Sequence, residues 1–161
     1  MPPSTPYSRH LGDRDPIEAL RHTLARIQTL ASGWSAADFE GSYAPGKWTT
    51  RQVLVHLVHM ELAIGTRARM ALTQPGYVAQ PFEQDLWMTR EGPLTGTEAL
   101  AAFVATAGMN LRLFESLSPA DRHVPFSHPE FGPITVDWII HMMAGHQLNH
   151  LNQLEQIVAG S

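Results

Sequence analysis

Nine histidines stand in a chain of 161 residues that contains no cysteine. One short run, His141-Met-Met-Ala-Gly-His146-Gln-Leu-Asn-His150, holds three of them and no acid. If this run is helical, His146 and His150 lie one turn apart on one face. On a wheel of about 100° per residue both fall within about 20° of Ile139, in the stripe that also carries Met143 and Ile157. His141 falls on the opposite side and reads as a surface residue. Further upstream, His56 lies on the shoulder of a stripe made by Val53, Leu57 and Met60, while His59 turns further toward solvent.

A lone buried imidazole is ordinarily satisfied by a carbonyl or a water. An i, i+4 pair is harder to satisfy, because each acceptor nitrogen left unpaired costs roughly 1–3 kcal/mol. A divalent cation removes that cost for both, and His56 from a facing helix would add a third ligand. Spacing alone leaves two readings open: a metal site of His56, His146 and His150, or a hydrogen-bonded core without metal. Three neutral imidazoles would leave a cation its full charge and an open position, as in catalytic sites. Such a charge brings the pKa of bound water toward about 7 and deprotonates a coordinated thiol. With no cysteine in the chain, any thiol must arrive as a cosubstrate.

Nothing in the sequence marks a general base, so catalytic residues beyond the metal ligands are unknown. Glu61 reads as a solvated helix-surface acid. Glu83, Asp85 and Trp87 fall on a long connection that reads as plain loop, and Trp48 and Trp138 read as packing anchors. The chain has no His-Glu-x-x-His, no Glu-x-x-His, no Gly-rich phosphate loop and no Gly-x-Ser-x-Gly elbow, which removes the zincin, di-iron, nucleotide and α/β-hydrolase patterns.

Four helices must position these side chains. Asp15-Pro16-Ile17-Glu18 is a helix start, with apolar Leu20, Leu24, Ile27 and Leu30 following and an end near Gly33. Thr49-Thr-Arg-Gln52 is a capping box that opens a second helix through Ala71, and Thr95-Gly-Thr-Glu98 opens a third through Phe114. The last helix runs from about Val136 to Ala159. Residues 73–93 and 119–133 break every period and read as irregular, with no strand pattern. Residues 1–14, polar and proline-rich, read as a flexible N-terminal tail ahead of a single domain over 15–161. Four amphipathic helices bury their stripes best against one another, so the expected fold class is all-α, a four-helix bundle.

Bulk composition narrows the function. The formal charge of −4, with 11 scattered Lys and Arg, offers no footprint for nucleic acid. No apolar run approaches the ~18 residues of a membrane span. The first ten residues carry no apolar signal region, so a cytoplasmic protein with a small-molecule substrate is expected.

Two stretches together resemble the DinB/YfiT-like metal-binding bundle family. Gly46-Lys-Trp48-Thr-Thr-Arg-Gln-Val-Leu-Val-His56-Leu-Val-His-Met-Glu61 is similar to that family's Trp-Ser/Thr opening of the second helix, with its histidine and later Glu. His146-Gln-Leu-Asn-His150-Leu-Asn-Gln153 is similar to its closing His-x-x-x-His followed by Gln. Asn149 departs from relatives that carry a second histidine there. The resemblance implies one divalent metal ion, zinc or nickel, on His56, His146 and His150, and a homodimer. It also implies a thiol-dependent S-transferase acting on electrophilic small molecules with a low-molecular-weight thiol. The alternatives are a metal-dependent hydrolase and a non-catalytic metal- or ligand-binding protein.

Overall fold

A computed structural model describes residues 2–159. Its four long helices are α2 (Pro16–Ala31), α4 (Thr50–Thr73), α6 (Gly96–Ser116) and α8 (Val136–Ala159). Around the bundle the neighbours run α2, α6, α4, α8 and back to α2. Successive long helices α2 and α4, and again α6 and α8, therefore sit on diagonals, and the chain needs long crossings to join them. No described helix is long and apolar enough to cross a membrane.

The helix starts follow local chemistry. The Asp15 carboxylate accepts from the Glu18 amide, with Pro16 in the first turn of α2. Thr49 with Gln52, and Thr95 with Glu98, form reciprocal capping boxes at α4 and α6. Each satisfies amides that a helix start leaves without partners.

The crossings hold more structure than their sequence announces. The short helices α3 (Ala36–Phe39) and α7 (Pro119–Arg122) lie in them, and α5 (Gln84–Arg90) lies in the link between the adjacent helices α4 and α6. Strands β1 (Pro125–His128) and β2 (Gly132–Thr135) form an antiparallel hairpin, which corrects the expectation of no strand. Its pattern was too brief to read: each strand has four residues and contains a proline. The hairpin is held by burying the Phe126 and Ile134 pair, and Gly132 takes a positive φ of 70° at the turn.

The N-terminal residues also differ from the loose tail expected of them. Helix α1 (Ser8–Leu11) packs along α8, Leu11 is buried, and the Trp138 indole donates to the Ser4 carbonyl at 2.9 Å. Gly145 makes the approach possible, because a Cβ there would stand 2.5 Å from the Tyr7 carbonyl oxygen. The prolines suggested disorder, while the buried anchor Leu11 and the half-buried Tyr7 carry the docking.

Between two apolar clusters lies a polar layer to which every long helix contributes one residue. Thr23 of α2 donates to Gln147 of α8 at 2.5 Å, and Gln147 donates to Glu61 of α4 at 2.5 Å. Asn110 of α6 donates to the other Glu61 carboxylate oxygen at 2.7 Å and to the Glu61 carbonyl at 2.8 Å. All four residues are buried. Gly65 makes room for this chain, since a Cβ there would overlap the Asn110 amide.

Candidate metal centre

Two helices bring the imidazoles together. On α4, His56 is buried about two turns after the cap Thr49, with the Trp48 ring centroid 4.9 Å from its own. On α8, His146 and His150 share the interior face with ring centroids 4.5 Å apart. His146 Nε2 stands 3.0 Å from His56 Nε2 and 3.1 Å from His150 Nε2. The three rings offer ligand atoms that all lie within 4.8 Å of one another, and all three residues are buried.

This arrangement is poor for imidazoles alone. A neutral ring nitrogen carries either a proton or a lone pair, so His146 Nε2 cannot make two good hydrogen bonds at once. His150 is further committed: its Nδ1 pairs with the Gln153 side-chain oxygen at 2.8 Å, which places its proton there and leaves a lone pair on Nε2. The outward Nδ1 atoms of His56 and His146 have no partner among the described residues. Ligand nitrogens about 2.0–2.1 Å from one cation would themselves be roughly 2.8–3.4 Å apart, so the observed spacings fit a shared ion.

The electrostatics agree. Burial, followed by the neighbouring rings, holds the His56 imidazole down to about 3. The same causes push His146 well below its ordinary value, and burial lowers His150 despite the Gln153 bond. At neutral pH all three rings are uncharged, the state in which histidine binds metal.

A cavity of about 290 Å³ opens beside the centre, with His146, Tyr7, Met60, Arg67, Phe82 and His128 in its wall. Tyr7 meets His146 edge to face, with centroids 5.0 Å apart, so the docked N-terminal segment forms part of this wall. A larger hollow of about 470 Å³ beside Trp34 and Arg51 touches none of the three histidines.

Other residues singled out in the sequence fall differently. His59, expected toward solvent, is buried and pairs with Glu91 at 2.7 Å, because α5 and the residue after it cover that side of α4. Trp87 of α5 packs edge-on against His59 at 5.3 Å. Glu83 precedes the same short helix without a side-chain capping bond and reaches the cavity wall, while Asp85 is exposed. His141 is partly buried rather than exposed, with Nδ1 2.9 Å from the Asp137 carbonyl. Glu61, expected in solvent, is buried in the polar layer, where desolvation pushes its carboxyl up to about 7 against the pull of Asn110 and Gln147. Arg67 and His128, both in the cavity wall, escaped sequence reading: one is the first of two arginines late in a helix, the other lies in an unrecognised strand.

A four-helix bundle with convergent interior imidazoles from its second and fourth long helices is a recognisable class of fold and site. The family model of the DinB superfamily matches residues 19–154, and the chain belongs to that superfamily. It is 30% identical over 117 residues to a protein of Oceanobacillus iheyensis named "putative metal-dependent hydrolase", covering 72% of this chain and 68% of that one. A Bacillus mycoides protein of the same description is 30% identical over 138 residues, covering 83% and 76%. Among solved structures, YfiT from Bacillus subtilis, titled "a probable metal-dependent hydrolase with an unusual four-helix bundle topology", superposes with a TM-score of 0.79. That match has 19% identity and covers 90% of this chain and 85% of that one.

Proposed function

We propose that this chain is a divalent-metal-dependent enzyme that holds one ion on His56, His146 and His150 and acts on a small molecule bound in the adjacent cavity. The convergence of three neutral, buried Nε2 atoms carries the proposal. Imidazole donors suit zinc and nickel, the expected metals, and copper and iron also accept them. Such an ion supplies positive charge that polarises a carbonyl and acidifies a water or a thiol.

The chain's own residues do the remaining work. Gln153 fixes the tautomer of His150, the surrounding apolar side chains exclude bulk water, and Tyr7 and Trp48 hold the rings of His146 and His56 in place. Hydrolysis is the reaction favoured by the names of the relatives. Transfer of a low-molecular-weight thiol to an electrophile is the second reading, supported by a chain that has no thiol of its own. A homodimer belongs to the same proposal: Leu62 and Met109 are large apolar side chains exposed at 47% and 57%.

Elemental analysis of the purified protein tests the centre. About one ion per chain, lost in His150→Ala with the fold retained, is the expected result. Wild-type protein that stays metal-free after growth and dialysis with zinc or nickel would end the metal reading. Ester turnover without a thiol, against electrophile turnover only with one, then separates the two reactions. Light scattering measures the oligomer.

A further inference from the structure

Arg67 occupies an unusual position for a guanidinium. It lies on α4, is only 9% exposed, and lines the same cavity as His146. One of its nitrogens donates to the Gln80 carbonyl at 2.6 Å, and its guanidinium carbon stands 5.9 Å from the centroid of Phe82. No carboxylate among the described residues forms an ion pair with it. Tyr77 and then Glu130 are its electrostatic neighbours; Glu130 lies beyond ion-pair distance and is exposed. A buried cation is costly unless it is paired, and burial does lower the pKa of this one. Its remaining N–H groups form a planar fork with no acceptor among the described residues.

A second donor lies in the same wall. His128 Nδ1 accepts from the Glu130 amide at 3.2 Å, which leaves the ring proton on Nε2. Around these two donors the cavity is mainly apolar and aromatic, with Tyr7, Met60, Phe82, Phe131 and Met142, while the exposed Glu83 and Glu130 also reach its wall. Its volume of about 290 Å³ suits a small metabolite.

We infer that this cavity takes a small carboxylate with an apolar or aromatic body, its acid group held by the Arg67 fork and assisted by His128, its far end toward His146. The inference rests on the cavity being the substrate site proposed above. A carboxylate is favoured over a phosphate because a single guanidinium, with the acids Glu83 and Glu130 in the same wall, compensates one negative charge better than two. The planar fork matches a carboxylate through two parallel hydrogen bonds.

Calorimetric titration of 3-phenylpropionate against 3-phenylpropanamide, which differ only in the charged group, tests this. Metal content is recorded for every sample, and each titration is repeated on His150→Ala, so that direct ligation of the acid to an ion is separated from the Arg67 contact. The acid is expected to bind roughly tenfold to a hundredfold more tightly than the amide. Arg67→Gln, which keeps a donor for the Gln80 carbonyl, should bring the acid to the level of the amide, and Glu130→Gln should strengthen acid binding. The inference is overturned if the acid does not bind, if acid and amide bind alike to wild type, or if the advantage of the acid survives Arg67→Gln. It is also overturned if inorganic phosphate competes better than the acid. An acid preference in wild type that stays metal-free after growth and dialysis with zinc or nickel would leave this inference standing while the metal reading fell; bound metal without the preference would do the reverse.

Discussion

The replacement Glu61→Gln separates the polar layer from the rest of the protein's pH response. With its carboxyl raised to about 7 from an ordinary 4.5, Glu61 keeps a proton in the fold that the unfolded chain has already released. Its contribution to stability is therefore fully present below pH 4.5 and is lost as pH rises through about 7. At about 1.4 kcal/mol per pH unit, linkage gives a loss of roughly 2.5 kcal/mol between pH 5 and 8. The depressed histidines of the candidate centre oppose this below 6.5, so the wild-type curve alone cannot isolate it. The difference between wild type and Glu61→Gln can. The amide introduced by that substitution can keep both contacts if the Gln147 amide turns over, since Thr23 can then accept from Gln147 while donating to the Leu20 carbonyl. Urea unfolding of chelator-treated protein at half-unit steps from pH 5 to 8 should show wild type losing about 2–3 kcal/mol relative to the variant. A difference that stays flat over this range would refute the reasoning and assign Glu61 an ordinary carboxyl.

Three further perturbations probe other parts of the fold. Asn110→Ala leaves the Glu61 carbonyl and one carboxylate oxygen without their donor and should cost about 2–4 kcal/mol; its effect should be non-additive with Glu61→Gln in a double-mutant cycle by urea unfolding. Gly145→Ala puts a Cβ 2.5 Å from the Tyr7 carbonyl oxygen, so the N-terminal segment must shift; a loss of about 1–3 kcal/mol and faster proteolytic cutting within residues 4–12 are expected. The neutral histidines contribute stability that is present above pH 6.5 and lost as pH falls toward the folded values, about 3 for His56; with the opposing carboxyl removed, chelated Glu61→Gln should melt progressively lower from pH 6.5 to 4.5, and less steeply when His146→Leu is added.

The four long helices and their caps were legible because period and capping chemistry are local. The pairing of His146 with His150 was legible for the same reason: helical geometry alone puts them on one face. His59 and Glu61 show where this reading ends. A wheel reports the angle of a side chain about its own helix, while burial depends on what lies against that angle. For His59 the cover is α5, from a segment without period; for Glu61 it is a pair of partners on two other helices, Asn110 and Gln147. The hairpin and the docked N-terminus were missed on other grounds. Strands of four residues show too little alternation to detect, and prolines mask the few apolar anchors that hold residues 4–11 in place.

His56 and His146 are 90 positions apart in the chain, and their ring nitrogens stand 3.0 Å apart. Any ion seated between them would act as a removable cross-link in a protein that has no disulfide. By the chain-entropy relation, a tie closing a loop of that length restricts the unfolded ensemble by roughly 4–5 kcal/mol. Loading the centre would therefore fasten α8 to α4 and slow unfolding, with a grip set by how much free metal surrounds the protein.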